Sequence, residues 1–435
     1  MPGLPDCCSA TLSNMKHESL KIKHYKLNNK TAKNPFCQYM MKRIFYFFAI
    51  VLCVACSNDE QFTTSSSDLL TLPDDTLKMD TVFSGASSST YTFWIHNRNS
   101  KALRVNDVRL ADGTQGFRVN VDGEYLHPNI SGLEVLGDDS LLVFVEITAP
   151  EAGQLAPKPI DERLVLTLES GVQQEVSMRA WTWDAERWDN KTVTADEEIT
   201  TQKPIIVYGT LTVAEGATLK LKGTSLYFHD GAGIDVCGTL EAEGATLRGD
   251  RLDDMFSYLP YDHVSGQWRG ISIKENARCQ LTDCDIHAAH DALVAAAGST
   301  LSLTRTVVHN NAGTGIAAAD ATVELSYCQV SNAEGSLVTA KGGTVTLTQC
   351  TLAQYYPFAL RDVALVIEEG TQLSVTKLLI AGYDEELITL AEGMEIPEGE
   401  SYTAEKEDFV LIDEDNLVYD FHLKPDSKAA GFGCY

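Results

Sequence analysis

The feature that most constrains the fold is a repeat of 22 residues. Residues 279–300, 301–322, 323–344 and 345–366 align without a gap, and their columns carry like side chains. Within each segment apolar positions alternate with polar ones, and a two-residue break such as Thr304-Arg305 separates two alternating stretches. Such alternation is typical of β-strands, because successive side chains leave opposite faces of a sheet.

The alignment also predicts which residues stack. A short unit with three strands is one coil of a solenoid, and successive coils lie about 4.8 Å apart. Each column should then be a ladder of side chains directed into a shared core. The aligned columns are Cys279, Leu301, Val323 and Val345; Leu281, Leu303, Leu325 and Leu347; Cys284, Thr306, Cys328 and Cys350; Ile286, Val308, Val330 and Leu352; Val294, Ile316, Val338 and Leu360; and Ala296, Ala318 and Ala340.

These columns predict a parallel β-helix over residues 190–435. Parallel crossovers are right-handed by strong preference, so the helix should be right-handed. The stretch from Leu303 to Ile316, with its Val-Val-His-Asn-Asn string, resembles the pectin-lyase-like right-handed β-helix repeat. The strings 209–219 and 238–247 form a second self-similar pair, 29 residues apart, and we expect them to be the first coils, with a longer loop.

Residues 76–189 have a different pattern. Short alternating runs recur there and are separated by turns rich in Asn, Asp and Gly, such as Asp112-Gly113. Strands of this length and spacing over roughly a hundred residues predict an immunoglobulin-like β-sandwich. The fold class expected for the whole chain is therefore all-β, with this sandwich followed by the β-helix.

Residues 40–56 have the pattern of a signal peptide. A basic start, Met40-Met41-Lys42-Arg43, precedes an apolar run too short to span a bilayer comfortably. The run ends in Leu52-Cys53-Val54-Ala55-Cys56, which resembles a bacterial lipobox. That resemblance implies export and attachment of diacylglycerol to the thiol of Cys56.

The segments that flank the signal peptide carry two further expectations. Residues 1–39 are polar and lysine-rich, and a signal peptide must emerge first, so we expect them to be a misassigned extension. Residues 57–75 contain the run Thr63-Thr64-Ser65-Ser66-Ser67 and should form a flexible tether. The string Ser57-Asn58-Asp59-Glu60 resembles the surface-export signal of Bacteroidetes lipoproteins, which implies an outer-membrane, surface-exposed location.

The charge balance argues against several classes of partner. The formal net charge is −27 at pH 7, and the residues after Cys56 are more acidic than the whole chain. Such a field repels phosphate backbones and anionic lipid headgroups, so nucleic acid is not an expected partner. None of the cysteines after Cys56 forms a Cys-x-x-Cys pair, so their spacing supports no zinc or redox motif, and no cofactor is expected.

The cysteine column allows two interpretations. Stacked Cys284, Cys328 and Cys350 are close enough to bind a metal or to form a disulfide. Free cysteine also behaves as a small apolar residue, and inward packing is the simpler interpretation.

The histidine column is also ambiguous. His287 and His309 share an outward-facing column, so their imidazoles could converge on a metal ion. Ser331 and Ala353 follow them in that column, and the third ligand is missing from the pattern. A solvated polar turn is therefore the favoured interpretation, with asparagines that tolerate left-handed backbone geometry.

The longest interruption of the coils, residues 248–269, is both acidic and aromatic. Aromatic faces can stack on pyranose rings and carboxylates can accept hydrogen bonds from hydroxyls, so this loop could hold a sugar. A structural flap that covers one end of the coil is an equal alternative. Together with the two histidines, the candidate ligand-binding residues are Asp250, Asp253, Asp254, Tyr258, Tyr261, Trp268, His287 and His309.

The span from Asp80 to Gly433 is similar to Bacteroidetes lipoproteins that join a sandwich to a β-helix. The similarity is carried by the strings at 80–83, 95–99, 249–252, 266–271, 419–423 and 427–431. Lys428 stands where the family usually has Pro, so a looser last coil is expected. The resemblance implies an envelope location and this architecture, and it implies no mechanism.

Two functions follow from these observations. The first is a non-catalytic lipoprotein, anchored to the membrane by its lipid, whose β-helix presents a rigid face to a glycan or a surface protein. The alternative is a polysaccharide-degrading enzyme, either a lyase or a glycoside hydrolase. Such enzymes need opposed carboxylates, or a base with a cation, and no catalytic residue is assigned because the clear coils lack such a set.

Overall fold

The computed structural model describes residues 61–256 and 258–435, and nearly all their regular secondary structure is β-strand. Within these ranges the helical elements are two 3-10 turns, Tyr261–His263 and Lys406–Asp408. No helix there is long and apolar enough to cross a bilayer. The all-β prediction is confirmed. The predicted extension, the signal peptide and Cys56 lie outside the described residues.

Ten strands come before the solenoid: β1 (Leu77–Phe83), β2 (Tyr91–His96), β3 (Leu103–Leu110), β4 (Phe117–Val121), β5 (Glu124–Tyr125), β6 (Asn129–Ile130), β7 (Leu133–Val135), β8 (Ser140–Ile147), β9 (Lys158–Leu168) and β10 (Gln173–Trp183). They form a six-stranded sheet in the order β1-β10-β9-β3-β6, with β7 also paired to β3, and a four-stranded sheet in the order β2-β8-β4-β5. Buried side chains from both sheets, among them Ile95, Val143 and Leu166, share one apolar core.

Residues 62–71, part of the predicted flexible tether, make specific contacts with these sheets. Phe62 forms an isolated parallel bridge with Ala102. Leu70 is buried in the apolar core, and its backbone N–H donates to the side chain of Gln174 over 3.0 Å. The stretch is therefore bound to the fold by hydrogen bonds and apolar burial, which a run of Thr and Ser did not indicate.

The solenoid begins at Glu186, four residues before the predicted boundary. Its strands are β11 (Glu186–Asp189), β12 (Thr192–Val193), β13 (Glu197–Ile199), β14 (Ile205–Tyr208), β15 (Thr210–Val213), β16 (Thr218–Lys222), β17 (Leu226–Phe228), β18 (Gly233–Val236), β19 (Thr239–Glu243), β20 (Thr246–Gly249), β21 (Asp254–Phe256), β22 (Leu259–Pro260), β23 (Ile271–Ile273), β24 (Arg278–Thr282), β25 (Asp285–His287), β26 (Leu293–Ala295), β27 (Thr300–Thr304), β28 (Val307–Asn311), β29 (Ile316–Ala319), β30 (Thr322–Ser326), β31 (Gln329–Ala333), β32 (Val338–Lys341), β33 (Thr344–Thr348), β34 (Thr351–Gln354), β35 (Leu365–Ile367), β36 (Gln372–Thr376), β37 (Leu378–Gly382), β38 (Ile388–Leu390) and β39 (Ser401–Ala404).

All but two of these strands stack in three parallel sheets. The ten-stranded sheet has the order β11-β14-β17-β20-β25-β28-β31-β34-β37-β39. The nine-stranded sheet has the order β12-β15-β18-β23-β26-β29-β32-β35-β38, and the eight-stranded sheet has the order β13-β16-β19-β24-β27-β30-β33-β36. The chain therefore winds through about ten coils. The two exceptions, β21 and β22, pair only with each other.

The stacking predicted for the leucine column is confirmed. Leu281 pairs in register with Leu303, Leu303 with Leu325, and Leu325 with Leu347. All four side chains are buried in the solenoid core. Full burial of a leucine side chain stabilises a fold by roughly 1.5–3 kcal/mol, so the column contributes strongly to the cohesion of adjacent coils.

The column that was predicted to contain Val294 is displaced by one residue from the alignment. Leu293, rather than Val294, pairs with Ile316, and the alanine column shifts with it. Leu365, rather than the exposed Leu360, takes the last place in the column. The loops that lead into the nine-stranded sheet lie on the surface and vary in length, so the constant spacing is lost there.

The 29-residue self-similarity does not correspond to one coil. Leu211 pairs with Ile234 in the nine-stranded sheet, whereas Leu219 pairs with Leu240 in the eight-stranded sheet. The two similar strings therefore cover different corners of the solenoid. The prediction failed because each coil has more than one corner at which a strand, a turn and a second strand follow one another, and these corners have similar sequences.

One corner is built in the same way in successive coils. Between the eight-stranded and ten-stranded sheets, a residue with φ between 47° and 55° makes the bend: Asp283, Arg305, Tyr327, Gln349 and Lys377. A single left-handed residue reverses the chain direction locally, which explains the two-residue break in the repeat.

The last residues do not form a coil, although the β-helix was predicted to extend to residue 435. Two strands, β40 (Phe409–Asp413) and β41 (Val418–Leu423), form an antiparallel hairpin. Phe409 and Phe421 are buried with Ala353 and Tyr355 in a small apolar cluster. This C-terminal hairpin therefore covers part of the outward face of the ten-stranded sheet.

We expect Leu325→Ala to lower the free energy of unfolding of the solenoid by about 3 kcal/mol, because it leaves a cavity between stacked coils. Glu324→Ala, at the exposed neighbouring position of the same strand, is the matched control and should change little. Urea unfolding followed by circular dichroism measures both variants. Equal losses for the two would contradict the stacked core.

Candidate functional site

The polar side chains that come together in this protein lie on the outward face of the ten-stranded sheet. The excursion, residues 250–268, stands on one side, and the C-terminal hairpin stands on the other. A cleft of about 280 Å³ separates them. We call it the polar cleft, and it is lined by His263, Val307, His309, Asn310, Gln329, Ser331, Asn332, Leu417, Tyr419, Phe421 and Tyr435.

Asp253 serves the joint between the excursion and the N-terminal sheets. Its side chain is 2% exposed, and its carboxylate accepts hydrogen bonds from Arg251 at 2.6 and 2.8 Å and from the backbone N–H of Ser89 at 2.7 Å. Burial alone would raise the pKa of Asp253, but these bonds outweigh it and hold the pKa below its ordinary value. The expectation that Asp253 binds a ligand is therefore corrected.

Tyr261 is engaged by the same network. The guanidinium of Arg251 lies 4.4 Å from the centroid of the Tyr261 ring, so one face of that ring is occupied by a cation. Tyr261 also begins the short 3-10 turn. Its backbone carbonyl accepts a hydrogen bond from the side-chain amide of Gln267. Its position is that of a structural residue in the excursion.

Trp268 lies in the solenoid core and not in the loop. Its side chain is 1% exposed and stacks on Phe228, with ring centroids 4.2 Å apart. Its indole N–H donates to the carbonyl of His287 over 2.8 Å. The expectation that Trp268 stacks on a sugar is therefore corrected, because the ring is packed in the solenoid core where the excursion rejoins the coil.

The remaining candidates of the excursion do not converge on one point. Asp250 contacts His229 over 2.8 Å, outside the polar cleft. Asp254 is partly exposed, and burial together with the nearby carboxylates raises its pKa. Tyr258 is 74% exposed and stacks on the exposed ring of Phe256 at 5.5 Å, so a pair of aromatic faces stands free at the tip of the excursion.

His287 and His309 do come together, and Asp285 joins them. The imidazoles stack with centroids 4.6 Å apart, as expected for paired positions on β25 and β28. One oxygen of Asp285 lies 2.5 Å from Nδ1 of His287 and 3.5 Å from Nε2 of His309. We call Asp285, His287 and His309 the histidine cluster.

The favoured interpretation of His287 as part of a solvated turn is wrong, because the excursion covers it. The residue is 7% exposed, and its Nε2 lies 3.6 Å from a carboxylate oxygen of Asp262. Burial alone would lower the pKa of His287, but the two nearby carboxylates outweigh it and raise the pKa above its ordinary value. Asp262 is held in turn by an ion pair with Arg248.

The far side of the polar cleft comes from residues that the sequence did not single out. Tyr435 donates a hydrogen bond to Gln329 over 2.8 Å, and its ring stacks on His422 at 4.0 Å. Alternation placed Asp285 on the same face as His287, so that residue could have been found from the sequence. Tyr435 carried no such signal, since it lies outside the repeat.

The inward packing predicted for the cysteine column is confirmed. Cys284, Cys328 and Cys350 are free thiols in the solenoid core. Each sulfur contacts a backbone carbonyl oxygen two residues before it, at 3.2–3.4 Å. Burial raises the pKa of all three thiols, which keeps them protonated and unreactive.

The comparisons with known proteins bear on the fold. A family model for the right-handed β-helix region matches residues 211–356, and this part of the chain is a right-handed β-helix. No curated protein sequence matches the chain. Among solved structures, the VesB protease of Vibrio cholerae is 13% identical over 25% of this chain, with a TM-score of 0.17, and the chain spans only 30% of that protein.

The Agl-KA catalytic domain is a second solved structure with some similarity. It is 10% identical over 68% of this chain and 79% of its own length, with a TM-score of 0.20. At these TM-scores neither solved structure bears on the function of this chain.

We expect Asp253→Asn to lower the free energy of unfolding by about 2 kcal/mol at neutral pH, because it leaves Arg251 without its buried partner. The folded-state pKa of Asp253 is depressed, so this stabilisation is present above the unfolded-state pKa and is lost as pH falls through the folded-state value. Urea unfolding measured from neutral to acidic pH should therefore bring the variant and the wild type together.

The matched control for that experiment is Asp254→Asn. This neighbouring carboxylate is partly exposed, and burial together with the nearby Asp80 and Asp253 raises its pKa, so removal of its charge should not destabilise the fold. A loss as large as that of Asp253→Asn would show that any charge change in the excursion has the same effect, and would contradict the specific role of Asp253.

Proposed function

We propose that this protein is a cell-envelope lipoprotein that binds a glycan in the polar cleft without cleaving it. The observation that carries the proposal is the composition of the cleft: amide, hydroxyl and imidazole groups on the floor, and tyrosine rings on one wall. Sugars need both kinds of contact, because each ring has an edge of hydroxyls and a face of C–H groups.

The floor supplies hydrogen-bonding groups at fixed positions. Gln329, Ser331 and His309 project from neighbouring parallel strands, so their spacing is set by the stacking of coils. Rigid placement of a few polar groups in a concave site is the usual basis of orientation and specificity. A sugar with hydroxyls spaced along one edge fits such an arrangement.

The wall supplies an aromatic face. The Tyr435 ring is half-exposed, and its hydroxyl is fixed by Gln329 while its neighbour His422 supports the ring. Tyr419 lies deeper, where burial raises its pKa to about 12. An aromatic ring with a polar tip suits a ligand that is apolar on one face and wet at its edge.

The charge of the chain favours a neutral glycan over a uronate-rich one. The whole protein has a formal charge of −27, and the carboxylates of Asp285 and Asp262 lie close to the cleft, beside the two histidines. An anionic polysaccharide would approach against this field. The volume, about 280 Å³, lies at the lower end of ligand sites and suits a single sugar ring.

The location is also part of the proposal. A lipid on Cys56 would hold the protein at the outer membrane, with surface exposure implied by the acidic residues that follow. Residues 76–189, as an immunoglobulin-like sandwich, would act as a spacer that displays the β-helix to glycans or to other surface proteins. The lipobox-like string and the two N-terminal sheets support this arrangement.

We expect Tyr435→Ala to weaken glycan binding by at least about fivefold, because an aromatic stacking contact is worth about 1 kcal/mol beyond area burial. A glycan array probed with the full chain would identify the ligand, and calorimetry would give the affinities. Tyr125→Ala is the matched control, since Tyr125 is also half-exposed and stacked on a histidine, far along the chain in β5.

Each outcome of that experiment decides a different point. Binding to no sugar on the array, or an equal loss for Tyr125→Ala, would contradict glycan binding in the polar cleft. A loss for Tyr258→Ala but not for Tyr435→Ala would move the site to the tip of the excursion. Release of new reducing ends from the bound glycan would favour the alternative, a polysaccharide-degrading enzyme.

We expect Cys56→Ala to release the protein from the membrane fraction, because the acyl chains would have no thiol to join. Cell fractionation with immunoblotting measures the distribution. Cys237→Ala, which removes a half-buried thiol of the solenoid, is the control and should remain in the membrane. Retention of the Cys56→Ala variant in the membrane fraction would contradict the lipid anchor.

A further inference from the structure

The geometry of the histidine cluster points to a metal site that borders the polar cleft and shares His309 with it. We propose that Asp285, His287 and His309 bind one divalent first-row transition metal ion, with Zn²⁺ as the first candidate. One ligand atom from each of the three side chains lies within 4.8 Å of the others. Among residues 61–256 and 258–435, this is the one place where three His, Cys, Asp or Glu side chains come close enough to hold a metal ion.

The architecture holds these ligands in place. His287 and His309 occupy paired positions on the parallel strands β25 and β28, so their separation is fixed by the backbone ladder. Asp285 lies two residues before His287, and alternation directs both side chains to the same face. Three ligands on two hydrogen-bonded strands form a site whose geometry requires no loop to close.

The donor set selects the class of metal. Two imidazoles and one carboxylate suit zinc, copper and nickel, whereas calcium and magnesium prefer oxygen ligands alone. The 3.5 Å between Nε2 of His309 and the oxygen of Asp285 matches two ligands of a tetrahedral ion, since each metal–ligand bond is about 2.1 Å. The 2.5 Å contact at His287 is a hydrogen bond, whose proton would leave to solvent as the metal binds.

A second observation points to a ligand at the same place. His287 is 7% exposed, and its Nε2 has no hydrogen-bond partner among the described residues. A buried polar atom without a partner is unfavourable, and such atoms are uncommon in folded proteins. A metal ion bound at Nδ1 would fix the imidazole proton on Nε2, which lies 3.6 Å from the carboxylate of Asp262.

The surrounding charges favour a cation. With neutral imidazoles, Asp285 and Asp262 carry two negative charges, and Arg248 contributes one positive charge through its pair with Asp262. The net charge of this group is therefore negative. Asp262 also lies close enough to His287 to orient it, as carboxylates beside metal-bound histidines do.

The cluster is open toward solvent on one side. The side chains of Asp285 and His309 are partly exposed, and His309 lines the polar cleft. Three protein ligands leave a coordination position for water or for a hydroxyl of a bound molecule, which is the arrangement of sites that contact substrates. The metal would therefore face the cleft without being part of the apolar core.

Titration of the full chain with ZnCl₂ alone tests the proposal. After dialysis against a chelator, isothermal calorimetry should give one site per chain for the wild type. His309→Ala and Asp285→Asn should each weaken binding at least tenfold. Co²⁺ used in place of Zn²⁺ should give visible absorption bands of a low-symmetry site in the wild type, and these should be lost in both variants.

His290→Ala is the matched control, because His290 is an exposed histidine paired with Asp291 in the next loop. It should bind Zn²⁺ as the wild type does, and circular dichroism should show all variants folded. Absence of a site in the wild type, or an equal loss for His290→Ala, would overturn the proposal. Because no sugar is present, the result does not depend on whether the cleft binds a glycan.

Discussion

The structure depends on the in-register stacking of parallel coils. Each coil gives its backbone N–H and C=O groups to the next, and each inward side chain lies above a similar one, as in the leucine column from Leu281 to Leu347. Neither contact can form within a single coil, so each coil is stabilised by the coils on either side of it. The outward face follows from the same constraint, because alternation fixes every second side chain toward solvent.

Sequence reasoning succeeded where this constraint acts alone. Strands and one tight corner are repeated without change, so the Leu281 and Ile286 columns and the pairing of His287 with His309 were all predicted. It failed where loops are free to vary: Val294 lies one place off its expected column, and the closing residues form the C-terminal hairpin instead of a coil. No periodic signal constrains such segments.

The site was predicted only in part, for a similar reason. Composition identified the excursion as acidic and aromatic, but it could not tell that Trp268 enters the core or that the carboxylate of Asp253 is buried against Arg251. His287 is buried because Asp262 of the excursion lies against it. The excursion interrupts the repeat, so the repeat does not predict where Asp262 lies relative to β25. Contacts between a repeat and an irregular segment are set by tertiary packing, which spacing alone does not encode.

The bond between Ser89 and Asp253 ties the excursion to a part of the chain 164 residues away. One wall of the polar cleft is therefore held by a tertiary hydrogen bond as well as by its own two ends. A molecule that enters meets a shape that already exists, so little conformational entropy is lost on association.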